Sequence, residues 1–495
     1  MLLWLLGLIL IFCFILFYVR LKKSYSYWKV RGIVYEKPTL IAGSLSFFTR
    51  KSVWQYFYDL KKKHPDDYVG VFLGIQPALV VQSPQLARKV LSDSDCFQDR
   101  FSYSGTDSDP VGSLNLFAVK GPLRKEMQQA LSPIFTTLRL KKLTDLLNIN
   151  SRELTEKIER DFVKKQEHVN LKELMAMYIS DTLAFSVFGI KVGTLNDDQS
   201  PLWYITKHMA KCTFMRGLEI LTVFFIPSLA EILRMKFFSA PATDFLKKMF
   251  RSVINEREER GEKNDTDLVG HFLKIKENFT SGADADRGEN LMVAQAAAFI
   301  MASIETSTST LTYCFSELAY HQEEQETLYK EIDNALRQTG KQVLDYNDLV
   351  EMKYLTAIIN ETLRKYVPLQ HLDRVAVRDY KLTDNVTVEK GIPVYVNLVA
   401  LQHDERFFPE PEKWRPERFL GTADFDTLNY TFLPFGEGHR SCIGKRYGML
   451  QLRTAIAHVV HKFRIEPVMP YILESDPYSI VLSPSNGGSV KFVTR

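Results

Sequence analysis

Cysteine is scarce in this chain of 495 residues: Cys13, Cys96, Cys212, Cys314 and Cys442 are the full set. Their number is odd and no two stand at C-x-x-C spacing, which excludes a disulfide framework and a cysteine-held zinc cluster. Charge of one sign is lacking too. The 63 basic and 59 acidic residues leave a formal charge of +4, with no basic stripe interleaved with aromatics, so nucleic acid is not an expected partner. Repeats, low-complexity tracts, flavin motifs and nicotinamide motifs are missing as well. Four of the cysteines read as inert small hydrophobes. Cys442 is different, because it sits in a glycine-rich loop.

One long hydrophobic run is present, at the amino end. Leu2 to Val19 is unbroken apolar sequence, about 27 Å as a helix, enough to cross a hydrocarbon core. Arg20, Lys22 and Lys23 follow it, whereas a cleaved signal peptide carries its basic residues first and a small-residue cut site after. The run therefore reads as a retained anchor, with everything after it on the cytoplasmic side. The sequons at Asn264, Asn278, Asn360, Asn385 and Asn429 are then expected to stay unmodified. Residues 1–20 are assigned to the anchor, 21–40 to a basic, proline-containing linker and 41–495 to one catalytic domain.

Residues 50–95 mix a helical pattern with short strand-like runs, and from about 120 to 370 apolar residues return every three or four positions. The expected class is mainly α with a small β-rich part. "LEILTVFFIPSLAEILRMKFF", residues 218–238, is more apolar than a surface helix needs and Pro227 breaks it. A segment that dips into the membrane and a pair of core helices both fit it.

The chemistry centres on "FGEGHRSCIG", Phe435 to Gly444. The helical spacing after Cys442 places its thiol just ahead of a helix amino terminus, where N–H groups and the dipole favour a thiolate. Gly436, Gly438 and Gly444 allow tight turns and close approach to a flat partner. Such a loop suits a thiolate ligating haem iron, with Arg440 placed to meet a propionate. His439 is left as a surface residue. The stretch resembles the haem-thiolate signature of the cytochrome P450 family, F-x-x-G-x-R-x-C-x-G, at every position, and six fixed types at fixed spacing arise by chance in on the order of one in 10⁵ such chains.

Two further motifs stand in the family's order. "NETLRKY" carries Glu361 and Arg364 one helical turn apart, like the family's E-x-x-R. "HLDR" with Arg374 and "PERF" with Arg418 follow. The resemblance implies that Glu361, Arg364 and Arg418 interlock behind the cysteine loop, that Arg374 reaches a propionate, and that Phe435 and Gly436 flank the haem. "AAAFIMASIETSTSTLTYCFSELA", residues 296–319, reads as a buried helix whose hydroxyl-rich middle is expected to distort and make room for a small ligand. It is similar to the family's helix over the haem, with Thr306 assisting oxygen activation and Glu305 relaying protons. Ser303 replaces the usual glycine. Arg124 and Gln128 replace the tryptophan and arginine that normally contact a propionate, and Arg124 is taken as reaching it from a different position.

"YWKVRGIVYEKP", "FQDR" and "DTLAFSVFGI" are similar to animal microsomal members, particularly arthropod enzymes of foreign-compound metabolism. The resemblance implies one triangular helical domain, haem b, NADPH-derived electrons delivered by NADPH–cytochrome P450 reductase, cytochrome b5 as a further partner, a lipophilic substrate and the endoplasmic reticulum membrane. Lys445 and Arg446 are candidate contacts for the reductase. The expected reaction is insertion of one oxygen atom of O2 into the substrate. Two rivals remain, a reductase-independent isomerase or dehydratase of the same fold, and a non-catalytic haem-binding sensor. Segments around 101–119, 200–240, 296–306 and 369–373 are expected to line the substrate pocket.

Overall fold

Leu2–Tyr25 forms a single helix, α1, in the computed structural model of the chain. The model describes residues 2–495 except 46–50, 103–107, 189–192, 198–199, 201–202, 204–205, 208–212, 260–267, 280–284, 422–429 and 469–473. Cys212, Asn264 and Asn429 lie outside the described residues.

After α1 the chain packs at once. Trp28 is buried and its indole N–H donates to the Val71 carbonyl at 3.0 Å. Its ring fills the space above Gly70, where a Cβ would come within 2.5 Å of it. The connector is thereby docked on the first strands. Strands β1 (Tyr68–Leu73) and β2 (Gln76–Val81) form an antiparallel hairpin. Further along come β3 (Val169–Asn170), β4 (His371–Val375), β5 (Tyr380–Lys381), β6 (Thr387–Val388), β7 (Pro393–Asn397), β8 (Phe463–Pro467) and β9 (Ser489–Thr494). The main sheet runs β1-β2-β7-β4, with β2 and β7 parallel. β7 is buried along its length, as expected of a strand covered on both faces.

The rest is mostly helical. We label α2 (Gly121–Leu131), α3 (Thr137–Ile158), α4 (Leu171–Leu183), α5 (Phe214–Phe225), α6 (Pro227–Ile232), α7 (Ala285–Tyr320), α8 (Gln322–Thr339), α9 (Lys353–Lys365) and α10 (Lys445–Lys462). α3, α4, α7 and α10 pack against one another as the central bundle. α9 shows the sequence logic: Tyr354, Leu355, Ile358, Ile359 and Leu363 recur on one side and are buried.

Among the described residues two helices, α1 and α7, are long and apolar enough to cross a membrane, but they sit differently. The apolar window of α1 is 6% buried and that of α7 is 61% buried, so α7 is a core helix. The ambiguous segment 218–238 is buried in one part and exposed in another. Leu221, Val223 and Phe225 of α5 are buried, whereas Ile232 and Leu233, at the end of α6 and just after it, are 76% and 53% exposed.

α7 corrects one expectation. Thr306 donates back to the Ala302 carbonyl at 2.5 Å, Thr310 to Thr306 at 2.8 Å and Thr312 to Thr308 at 2.7 Å, yet the helix stays regular from end to end. Each back-bond shares a carbonyl with the i→i−4 ladder without displacing it, and packing on both sides holds the helix.

Candidate active site

The cysteine loop runs from Leu433 into α10 through a short 3-10 turn at Gly438–Arg440. The Cys442 amide donates to the Phe435 carbonyl at 2.8 Å and closes the loop. Its side chain is exposed and lines a cavity of ≈320 Å³. Burial pushes the thiol's pKa up, while the Gly444 and Lys445 backbone N–H groups at the start of α10 pull it down.

The three loop glycines have three separate reasons. Gly436 has φ +69°, with Leu372 at ordinary contact distance. Gly438 has φ +73°, and a Cβ there would lie 2.2 Å from the Leu91 carbonyl oxygen, so this glycine serves packing against α-helical Pro84–Ser92 and not the approach of a flat partner. Only Gly444 faces the cavity alone, its nearest neighbour being the Cys442 sulfur at 3.9 Å.

The cavity is apolar above the thiol. Phe299, Ala302, Ser303 and Thr306 of α7 line it, with Leu116, Phe117, Leu369 and Leu372. Three of the four expected pocket segments are present. No described residue of 200–240 lines it; Phe224 and Phe237 instead pack on the Phe117 ring with centroids 5.5 and 6.2 Å away, one layer behind the wall. Ile134, Leu143, Leu183, Ser186 and Leu398 also line it; Leu183 and Ser186 belong to the stretch "DTLAFSVFGI", but none of the five was expected at the pocket.

Thr306 and Glu305 part company. Thr306 faces the cavity; Glu305, one position round α7, does not line it and is half-buried. Burial pushes the Glu305 carboxyl up to about 7, with Lys172 lowering it and Asp476 raising it further. Ser303 faces the cavity and its hydroxyl reaches the buried Gln451 Oε1 at 3.5 Å, while the Gln451 amide donates to Thr182 Oγ1 at 2.6 Å.

One side of the cavity is crowded with cations. Arg100, Arg124 and Arg440 line it, whereas Arg374 does not: it is 1% exposed, its Nη1 donates to the Asp373 carbonyl at 2.8 Å and its Nε is buried with no partner. Arg100, which the sequence motifs had not singled out as a site residue, pairs with Asp373 at 3.0 Å and stacks 4.0 Å over Phe117. Arg440 donates to Asp99 Oδ1 at 2.8 Å and to the carbonyls of Gln98, Leu116 and Val119. Arg124 donates to Gln128 Oε1 at 2.7 Å and to the His439 carbonyl at 2.9 Å, so both departures from the family pattern stand at the cavity. His439 is only partly at the surface. It is half-buried on the cavity wall, with Nε2 3.2 Å from the Gln98 carbonyl, because Arg124 and the loop before Arg100 close over it.

Burial pushes Arg374 down to about 9 and Arg440 down to about 10, with Arg100 the next cause in each case. Half-buried Lys120 adds a further cation. Four guanidiniums and an ammonium thus share two carboxylates, Asp99 and Asp373. Buried cations without counter-charge are costly, so this rim is built for an anion, and one carrying two carboxylates fits the surplus.

Behind the loop, Arg364 Nε and Nη2 grip Glu361 at 2.7 and 2.8 Å, and Arg418 Nε reaches the same carboxylate at 3.2 Å. Arg364 also holds the carbonyls of Gln402 and Pro411. The three predicted residues are brought together.

Residues 35–492 match the family model described as Cytochrome P450. The chain belongs to the cytochrome P450 family. Among curated relatives it is 31% identical to Cytochrome P450 6j1 of Blattella germanica over 94% of this chain and 93% of that one. It is 32% identical to Cytochrome P450 6k1 of the same species, covering 96% and 94%. It is also 32% identical to Probable cytochrome P450 6g2 of Drosophila melanogaster, covering 96% of each. The chain is therefore a haem-dependent P450 monooxygenase of the insect type, which takes electrons from a redox partner. The cavity meets the demands of that cofactor: a thiol at its floor, an apolar body and a surplus of buried cations along one edge.

Proposed function

We propose that this enzyme is anchored in the endoplasmic reticulum membrane by residues 1–20, joined by residues 21–40 to a cytoplasmic catalytic domain of residues 41–495, and oxygenates lipophilic foreign compounds. Electrons come from NADPH through NADPH–cytochrome P450 reductase, with cytochrome b5 as a second donor. One observation carries the reading: a lone thiol under helix-terminal N–H groups shares one cavity with more arginines than carboxylates.

Cys442 would ligate the iron of the haem, which when bound would supply the activation of O2. Arg100 and Arg124 at the cavity wall would hold the propionates, and Arg374, which does not line the cavity, offers its orphan Nε as a further donor toward that edge. Arg440 ties the loop to Asp99 and adds charge. Phe435 and Gly436 form the wall beside the sulfur, and Glu361, Arg364 and Arg418 keep the loop in place. Thr306 presents its hydroxyl to the cavity. Glu305, titrating near neutrality, is suited to hold and pass a proton on the far side of that helix turn. The apolar lining at Phe117, Phe299 and Leu372 favours a lipophilic substrate and excludes water.

The test is the spectrum of the reduced, carbon-monoxide-bound protein. A red-shifted Soret band that Cys442→Ala abolishes is the expected result; a band that survives the substitution overturns the ligand assignment. Turnover that requires NADPH and reductase separates oxygenation from isomerisation or dehydration, and an oxygenated product rules out a sensor.

A further inference from the structure

A second concavity, of ≈450 Å³, lies on the other side of the cysteine loop, which it borders through Pro434, Phe435 and Gly436. Its apolar surface comes from Phe432, Leu433, Met449 and Leu450, with Val350 at the rim. Set into this surface is Arg453. One nitrogen, Nη2, donates to Thr356 Oγ1 at 3.1 Å, while Nε is shut off from solvent with no partner. Among the described residues no carboxylate pairs with it, and burial pushes its pKa down with only Tyr346 opposing.

Two more cations border the space. Arg446 is committed to Thr137 Oγ1 at 2.7 Å and Tyr346 OH at 3.1 Å, whereas Lys445 is exposed, 5.8 Å over the Phe435 ring. Glu437 is the one carboxylate among the described lining residues, and it accepts from the Gly438 amide at 3.2 Å. A half-buried guanidinium whose Nε is shut off from water without a counter-charge costs stability unless an anion meets it. An inorganic anion would leave the apolar surface wet, and acidic side chains of a protein partner have no use for it. A head of one negative charge on an apolar body answers both features.

We propose that this concavity is a binding site for an amphiphilic monoanion, a carboxylate or sulfonate whose head pairs with Arg453 while its apolar body covers Phe432, Met449 and Leu450. It is separate from the substrate cavity, and the two share only the wall of the cysteine loop.

The test uses the full-length holoenzyme in nanodiscs, with the substrate cavity filled by a saturating haem-coordinating azole. 8-Anilinonaphthalene-1-sulfonate is titrated and read by fluorescence, with empty nanodiscs as the blank. A single saturable site is expected, weakened at least tenfold by Arg453→Gln and blocked by Val350→Trp. Val350 is 41% exposed at the rim, so its substitution tests the site even if Arg453→Gln fails to fold. Decanoate should displace the probe and triglutamate should not. Absence of a saturable site in the azole-loaded enzyme, equal affinity in both variants, or displacement by triglutamate at the concentration at which decanoate acts would each overturn the proposal; the last would point to a partner's acidic side chains.

Discussion

Arg364 holds Glu361 through two parallel hydrogen bonds of 2.7 and 2.8 Å, with both side chains fully shielded from water. The carboxylate also serves Arg418 Nε and the Arg415 amide at 2.9 Å, so one anion answers two buried cations and a main-chain donor. Glu361→Gln removes the charge and keeps the shape. Breaking a buried pair of this kind costs about 3–5 kcal/mol, and here two arginines lose their partner. Thermal denaturation should show a drop of that order, with loss of haem on purification. A variant that keeps haem and wild-type stability would contradict the role given to Glu361.

Arg374 gives the opposite sign in the apoprotein. Its guanidinium is buried with Nε unmet, so Arg374→Met should leave the haem-free protein as stable as wild type or slightly more so. The same change should weaken haem retention by tenfold or more, since a charge-assisted hydrogen bond contributes about 1.5–3 kcal/mol. Apoprotein melting and haem transfer to excess apomyoglobin measure the two effects separately. Parallel losses in both would mean that Arg374 is needed by the fold itself.

Much of the site was legible in the sequence because local chemistry wrote it there. The spacing of Phe435 to Gly444 marked the cysteine loop, and Glu361, Arg364 and Arg418, in motifs that follow the family's order, marked its support. The rest depended on contacts between distant segments. Arg100 becomes part of the cation rim only through Asp373, 273 positions away in the chain, and His439 is drawn inward by Arg124 and the Gln98 carbonyl. The hydroxyl-rich middle of α7 misled for a related reason: back-bonding was correctly read, but packing from both sides, invisible in sequence, kept the helix regular. Segment 218–238 was undecidable because burial of α5 and exposure at the end of α6 share one composition.

Exposure of Ile232 and Leu233 predicts a second membrane contact beside α1. A chain lacking residues 2–19 should still float with vesicles, and adding Ile232→Ser with Leu233→Ser should release it. Full release by the deletion alone would leave α1 as the sole attachment. The measurement is flotation at fixed lipid, run at low and high salt to remove electrostatic binding.

Glu305 predicts a pH dependence with a definite sign. Its folded value of about 7 lies above the ordinary carboxylate value, so between about pH 4.5 and 7 the native state binds more protons than the unfolded chain. Stability then falls with rising pH across that window and levels off above it. Glu305→Gln should match wild type near pH 4.5 and exceed it at pH 8 by about 1–2 kcal/mol, an amount reduced by partial solvent screening. Melting temperatures of the two proteins at both pH values decide it; a constant difference would show that Glu305 titrates normally.

Two glycines of the cysteine loop make a paired prediction, because they are required for different reasons. Gly438→Ala forces a side chain into φ +73° and sets its Cβ 2.2 Å from the Leu91 carbonyl oxygen, which is backbone and cannot swing aside. The loop must shift, carrying Arg440 and Cys442 with it. Lower melting temperature and loss of the thiolate-type carbon monoxide spectrum should appear together. Gly444→Ala has ordinary φ and meets only the Cys442 sulfur at 3.9 Å, so the fold should survive at a cost of under about 1 kcal/mol. Its methyl, however, takes up space beside the thiol, and haem content should fall while circular dichroism and melting stay near wild type. If Gly444→Ala unfolds the chain as readily as Gly438→Ala, both glycines serve the backbone and neither reports on the cavity.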